Sequence, residues 1–189
     1  DNVARNFRDL VSVTLPDDVT SIGDYSFYKC ENLEIINLPE NNSLTIGDYA
    51  FYGCSKLGPH LIFDMVYFGQ QSFSLCDSIS SVHIKRYVVF DYYVFASCDN
   101  INVVFDGSFN QIYGFMPFYE AGKEIAVNVG VPNTDRGSNS ILYNSTFTKL
   151  ILGPNVDRIG ENFWGSSQIK EIHIPSVEAW LNMTIGDGN

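Results

Sequence analysis

The four cysteines carry the side-chain chemistry that is easiest to name, because thiols form disulfides, bind zinc and act as nucleophiles. They are Cys30, Cys54, Cys76 and Cys98, at spacings of 24, 22 and 22 residues. Such regular spacing places one thiol in each unit of a repeat. If neighbouring units stack about 4.8 Å apart, the parallel side-chain directions disfavour a disulfide. We therefore predict free thiols that pack as small buried side chains. A disulfide between neighbours is the less favoured alternative, and a metal site is less favoured still.

The three histidines, His60, His83 and His173, all fall in segments that the pattern predicts to be strands. His60 and His83 belong to neighbouring units and are close enough to share a ligand, whereas His173 lies several units away. The sequence places no Cys, Asp or Glu reliably beside them. We therefore expect histidines that lie on the surface or contact a partner, and not a metal site.

No other grouping of residues predicts catalysis or a cofactor. The Ser and Asp residues follow the turns, so no Ser/His/Asp grouping can be located. The chain also lacks the Asp-x-Asp-x-Asp run that is typical of calcium loops. We predict no catalytic residue, no metal and no cofactor, and therefore a protein that is not an enzyme.

The cysteines belong to a longer phrase that recurs along the chain. Residues 22–33 (IGDYSFYKCENL) return as residues 46–57 (IGDYAFYGCSKL), with a Phe three places before each Cys and a Leu or Ile three places after it. The Phe positions are Phe27, Phe51, Phe73, Phe95, Phe118 and Phe163. A unit of this size cannot bury its own apolar residues and must stack on copies of itself. The phrase thus predicts a solenoid with a stack of buried phenylalanines.

An extended segment lies between successive phrases, as in residues 10–16, 33–39 and 169–175. Its alternating apolar and polar positions and its final Pro predict a short strand with one buried face. A turn rich in Asp and Asn follows, and then a short second strand that ends in Gly. Asp24 and Asp48 are well placed to cap one helical turn that contains the Phe and the Cys. Each coil should therefore consist of a strand, a turn, a second strand and a helical turn.

The repeat continues through nearly the whole chain and predicts a single domain over residues 1–189. Coil boundaries near residues 10, 33, 57, 79, 101, 122, 147 and 169 give about eight coils, the last incomplete. The stretch 102–146 is irregular, and residues 132–140 within it are expected to form an exposed loop.

Composition excludes several classes of protein. A hydrophobic fraction of 45% with 14% aromatic residues excludes a disordered chain, and no apolar run is long enough for a membrane helix. A net charge of −11 argues against nucleic-acid binding, because phosphate contacts need surplus Lys and Arg. The same charge favours a soluble monomer without membrane insertion. The chain starts without a basic, apolar leader, so any secretion signal has been removed or was never present.

The repeat resembles that of BspA-like bacterial surface proteins. Leu-x-x-Ile-x-Leu-Pro followed by Ile-Gly-x-x-Ala-Phe-x-x-Cys-x-x-Leu is matched closely by residues 33–57. The resemblance is strong over residues 10–101, good over 147–175 and weaker over 102–146. It implies an α/β, β-rich, right-handed leucine-rich repeat solenoid of 22–24-residue coils, with a parallel concave sheet and short helical turns or strands opposite.

The same resemblance implies binding and not catalysis, since the matched positions are core and turn positions. Members of the family are typically secreted or anchored at the bacterial surface, and some adhere to host matrix proteins or other cells. The leading hypothesis is therefore a non-enzymatic protein-interaction module whose partner is a protein of the host matrix or of another cell surface. The alternative is a structural spacer that projects another domain of a longer surface protein.

Strand alternation also predicts which side chains face outward. A solenoid sheet with one open face gives an extended partner a broad surface on which to lie. The predicted partner-binding positions are Ser12, Thr14, Ile35, Asn37, Ser81, His83, Glu171 and His173.

Overall fold

A computed structural model of the protein describes residues 4–39, 43–106, 116–128, 141–160, 163 and 168–187. In chain order its elements are β1 (Ser12–Thr14), β2 (Ser21–Ile22), β3 (Ile35–Asn37), β4 (Ser43–Ile46), β5 (His60–Phe68), β6 (Ser81–Phe90), β7 (Asn102–Phe105), β8 (Glu124–Val127), β9 (Lys149–Leu152), β10 (Arg158–Ile159), β11 (Glu171–His173), α1 (Val177–Asn182) and β12 (Thr184–Ile185). The predicted loop at residues 132–140 lies outside the described residues. Strands β7 and β8 lie within the stretch expected to be irregular, and they pair in the same register as their neighbours.

The chain winds as a solenoid whose strand pairs are parallel. The main sheet has the order β11-β9-β8-β7-β6-β5-β4-β2, and two two-stranded sheets hold β1-β3 and β10-β12. A strand begins one to three residues after each predicted coil boundary, as β1 does after Leu10 and β5 after Leu57. The predicted parallel-sheet solenoid is therefore confirmed.

Strands β5 and β6 depart from the predicted sequence of strand, turn and second strand. Each runs through both strand positions of its coil without a turn, over nine and ten residues respectively. The reason is local, because neither segment contains the Pro that follows the first strand in the first two coils, at Pro16 and Pro39. The register shifts between Phe63 and Met65, where the buried Asp64 carboxylate pairs with the Arg86 guanidinium through two hydrogen bonds. This charge pair occupies the place that the missing turn would have taken.

The opposite side of each coil consists of tight turns with an alternating pattern of backbone hydrogen bonds. In the second coil, the Tyr49 and Phe51 amides donate to carbonyls of the next coil at 2.8 Å. The Ala50 and Tyr52 amides, which alternate with them along the chain, donate instead to the carbonyl of the residue three places earlier in their own coil. This alternation goes with a residue of positive φ two places before and two places after each Phe from Phe27 to Phe118, as at Tyr25 and Lys29.

The Asp side chains of the phrase act between coils. Asp24 Oδ1 accepts a hydrogen bond from the Asp48 amide at 2.9 Å, and Asp48 Oδ1 accepts one from the Gln70 amide at 2.8 Å. The expectation that Asp24 and Asp48 cap a turn within their own coils is therefore wrong. Each carboxylate instead accepts a hydrogen bond from a backbone amide of the next coil and so links the two coils.

The core is a stack of phenylalanine rings flanked by the cysteines. Ring centroids from Phe27 through Phe51, Phe73 and Phe95 to Phe118 lie 4.8–5.6 Å apart with nearly parallel planes. All six predicted Phe positions, including Phe163, are buried as predicted, and the predicted stack is confirmed from Phe27 to Phe118.

The four cysteines are free and buried, and each thiol has a hydrogen-bond partner. The Sγ atoms of Cys54, Cys76 and Cys98 donate to the carbonyl of the Phe in the preceding coil at 3.1–3.2 Å, and Cys30 Sγ donates to the Ala4 carbonyl at 3.0 Å. Burial raises the pKa of Cys54 and of Cys98 to about 12 and also raises the pKa of Cys30 and Cys76. The thiols therefore remain protonated and inert at neutral pH.

We predict that none of the four thiols reacts with Ellman's reagent at pH 8 in the folded protein, because the reactive thiolate is both unpopulated and shielded. All four should react once the protein is unfolded in denaturant. A Thr45→Cys variant, with its new thiol at an exposed position of β4, should react at once and provides the control. Rapid reaction of more than the introduced thiol would contradict the buried ladder.

The close stacking of coils also predicts the cost of adding a methyl group at Gly47. A Cβ there would lie 2.6 Å from the Asp24 amide nitrogen and 2.8 Å from the Gly23 carbonyl carbon, and backbone atoms cannot move aside easily. Gly47→Ala should lower the free energy of unfolding by about 1–3 kcal/mol, measured by urea denaturation. The exposed Thr45→Ala should change it by less than about 0.5 kcal/mol. Equal effects of the two substitutions would show that the coils are not packed so tightly.

Candidate binding surface

The outward side chains of the first strand in each coil form two rows, because the paired first strands are parallel and in register on either side of an interruption between β3 and β5. The first outward row consists of Ser12, Ile35, His60, Ser81, Asn102, Glu124, Lys149 and Glu171. The second outward row consists of Thr14, Asn37, Ile62, His83, Val104, Ala126, Ile151 and His173. All eight predicted positions lie in these rows. The structure places them along the surface and does not gather them into one cluster.

The two rows differ in chemistry. The first is polar along its main-sheet part, where Lys149 Nζ pairs with Glu124 Oε2 at 2.8 Å. The second row carries no Asp, Glu, Lys or Arg, and four of its members are aliphatic: Ile62, Val104, Ala126 and Ile151. Ile62 is 37% exposed, and the other three are half-buried. Solvent therefore reaches a row of apolar side chains beside a row of polar ones.

Two of the histidines have carboxylate partners that the sequence did not reveal. His83 Nε2 lies 2.5 Å from Asp106 Oδ2, and Asn128 donates to the other oxygen of the same carboxylate. His173 Nε2 lies 3.3 Å from Glu171 Oε2. The sequence places no acidic residue reliably beside the histidines, and the structure adds one beside each of these two. Asp106 follows β7, one coil beyond His83, so its contact depends on the stacking of coils.

The remaining histidine, His60, and Asn37 are held by polar contacts with neighbouring coils. His60 Nδ1 lies 2.8 Å from Ser81 Oγ on the adjacent strand. The Asn37 amide accepts from the Leu15 backbone N–H at 2.6 Å and donates to the Leu15 carbonyl at 2.9 Å. Asn37 thus continues the β1-β3 pairing with its side chain, and its amide is used within the molecule.

The first strands are interrupted between β3 and β5. Strand β3 pairs with β1 alone, and the first half of β5, residues 60–63, pairs with β6 alone. No Cα atom of β3 lies within 8 Å of one of β5, although neighbouring strands in a sheet are about 4.8 Å apart. A cavity of about 430 Å³ opens at this place. We call it the notch; it is lined by Glu34, Ile35, Lys56, Gly58, Pro59 and Ser78.

In the part of the chain that the structure describes, no three His, Cys, Asp or Glu side chains come together as metal ligands would. The longest helix among the same residues is α1, with six residues, and no described helix has the length and apolarity that crossing a bilayer requires.

Comparison with known proteins agrees with this architecture. The sequence model of the BspA-type leucine-rich repeat region matches residues 2–120 and 123–183, with six copies. The chain belongs to the BspA-type leucine-rich repeat family. A crystal structure of a leucine-rich repeat protein from Bacteroides ovatus has the same fold, with a TM-score of 0.51 and 22% sequence identity. The similarity covers 97% of this chain and 53% of that protein, so the chain spans about half of its length. No curated protein matches the chain.

The BspA-type repeat pattern explains which surface residues the sequence revealed and which it did not. The predicted positions came from coils whose strand segment copies the repeat pattern closely. Ile62, Val104, Ala126 and Ile151 belong to coils in which that pattern is altered or weak, and the row emerged only from the strand register. A signal was present for Ile151, because Leu150-Ile151-Leu152 is a short apolar run that ends at Gly153-Pro154, as a buried strand does.

The contacts of Asp106 on the BspA-type sheet predict a pH-dependent contribution to stability. Asn128 and, to a lesser extent, His83 lower the pKa of Asp106 by hydrogen bonding to its charged form. A depressed carboxyl pKa stabilises the folded state above the unfolded value of about 3.9, and the contribution is lost as pH falls through the folded value. Asp106→Asn should therefore lower the free energy of unfolding at pH 7 by less than about 1 kcal/mol, since the carboxylate is partly exposed. The difference from the wild type should shrink below about pH 4.

Urea denaturation at pH 7, 5 and 3 would measure this difference. The exposed turn variant Asp18→Asn is the matched control and should show little difference at any pH. A stability difference for Asp106→Asn that persists unchanged at pH 3 would contradict the assignment.

Proposed function

We propose that this chain is a non-enzymatic module that binds a protein partner across the two outward rows of its main sheet. The observation that supports this most directly is the second outward row, with Ile62, Val104, Ala126 and Ile151 on the solvent side of the sheet. Apolar side chains on a solvated sheet face are costly unless a partner covers them. The adjoining polar row supplies hydrogen-bonding groups at the edge of such a contact.

The eight predicted positions occupy different places in this proposed interface. Ser81, His83, Glu171 and His173 lie on the main sheet within or beside the apolar stretch, and we propose that they contact the partner. Ser12, Thr14, Ile35 and Asn37 lie on the separate β1-β3 sheet, and we propose that they extend the contact toward the first coils. The amide of Asn37, already bonded to Leu15, contributes shape rather than new hydrogen bonds.

The partner and setting follow from the family. We propose that the chain is part of a secreted or surface protein of a bacterium, and that it mediates adhesion to a host matrix protein or to a protein of another cell. Membership of the BspA-type family and the shared fold of a Bacteroides protein support this. The net charge of −11 supports a monomer and argues against nucleic acid as the partner.

The interface is tested by placing charges in the apolar row. The immobilised wild-type chain should capture at least one member of a panel of purified extracellular matrix proteins. The Val104→Lys/Ile151→Lys variant should bind that protein at least tenfold more weakly, because two ammonium groups would have to be desolvated in the contact. Surface plasmon resonance would measure both affinities.

A matched variant, Ser43→Lys/Thr45→Lys, adds the same charge at two exposed positions of β4, which is the second strand of its coil. It should bind as the wild type does, and circular dichroism should show that both variants remain folded. If no panel protein binds, or if both variants bind equally well, the binding proposal fails and a structural spacer becomes the better description.

A further inference from the structure

The notch between β3 and β5 exposes two strand edges in the interior of a sheet. Elsewhere along the described first strands each inner strand has a partner on both sides, as β6 has in β5 and β7. At the notch the edge of β3 and the edge of residues 60–63 face each other without pairing. Unpaired edges present backbone N–H and C=O groups that favour the addition of another strand.

The interruption has a cause in the sequence. One coil earlier, the Glu34 and Ile35 amides both donate to the Val11 carbonyl, at 2.8 and 3.3 Å. The equivalent residues in the next coil are Gly58, whose amide donates to the Glu34 carbonyl at 3.2 Å, and Pro59, which has no N–H to donate. The pairing therefore ends after one hydrogen bond, and the two strands diverge.

The separation of β3 and β5 leaves room for an added chain beside β3. A strand inserted between two others needs about 9.6 Å between them, twice the normal spacing of about 4.8 Å. The Cα atoms of β3 and β5 are everywhere more than 8 Å apart, so the two strands are too far apart to pair with each other, and a cavity of about 430 Å³ opens beside them. The Ile35 side chain, 61% exposed, offers an apolar contact at the rim.

The charges around the notch favour a basic occupant. Glu34 lines it, and Asp77 directly precedes the lining residue Ser78, against a single lysine, Lys56. The pKa of Asp77 is raised by partial burial and by the nearby charge of Asp99, so a cation brought near this pair would relieve repulsion between carboxylates.

We propose that the notch binds an extended peptide segment with a basic side chain, which adds a strand to the free edge of β3. The backbone of the segment supplies the hydrogen bonds that Pro59 cannot make, and its lysine or arginine faces Glu34. This site uses the edge of β3 and not the outward face of the sheet, although Ile35 belongs to both the lining and the first outward row. The proposal does not depend on the function proposed for the outward rows.

The experiment uses affinity selection from a pool of randomised heptapeptides that carry one fixed Lys. The wild-type chain should enrich peptides, and the Kd of an enriched peptide is then measured by fluorescence anisotropy. Ser78→Trp, which fills the notch from an exposed position, should weaken binding at least tenfold. Methylating alternate backbone nitrogens of the peptide should also weaken binding at least tenfold, because strand addition needs those N–H groups. Glu34→Gln should weaken it severalfold.

Two controls separate this site from the proposed interface. Thr45→Trp adds the same side chain on β4 and should leave peptide affinity unchanged, and so should Val104→Lys/Ile151→Lys. Peptides that bind wild type and Ser78→Trp equally, peptides insensitive to backbone methylation, or no enrichment at all would each overturn the proposal. None of these results would affect the capture of a matrix protein by the outward rows, so the two proposals fail separately.

Discussion

The structure depends on one constraint, the spacing at which the backbone of one coil hydrogen-bonds to the backbone of the next. Parallel strands impose about 4.8 Å on one side of the coil, and the turns on the other side form their own ladder, as where Phe51 donates to the Ser72 carbonyl. Two ladders at one spacing leave little freedom for the residues between them. The phenylalanine rings stack at 4.8–5.6 Å because the backbone holds them there.

The same spacing decides what the repeated polar groups can do. A thiol at the Cys position reaches a carbonyl of the preceding coil, and an Asp carboxylate reaches an amide of the following one. Both groups therefore satisfy backbone atoms between coils, and burial keeps the thiols protonated. The cysteines and the aspartates, which look chemically versatile in the sequence, therefore stabilise the scaffold, and the outward positions are those that differ most between coils.

Much of the fold could be predicted because the repeat consists of residues with strong local conformational preferences. The period, the strand positions and the buried Phe and Cys follow from spacing alone. The direction of the Asp24 carboxylate could not be predicted, since its partner is 24 residues away and is reached only after the coils have stacked. The merged strands β5 and β6 were missed for a similar reason. What distinguishes them is the absence of a turn residue, together with the pairing of Asp64 with Arg86 across the register shift. Likewise, the contact of His83 with Asp106 could not be predicted without knowing how the strands of two neighbouring coils are aligned.

Departures from the repeat are where a solenoid can acquire properties that its consensus lacks. A residue inserted into a coil cannot be accommodated by shifting the strand pairing, because the neighbouring coils fix the register on both sides. Strand β5 starts three residues after Leu57, whereas β3 starts two residues after Leu33, and Pro59 removes the donor that would have restored pairing. The opening that results is confined to one coil boundary, since β4 and β5 pair normally from Met65 onward. A local change of this kind opens a cavity while the turn hydrogen bonds and the stack of phenylalanine rings continue past it.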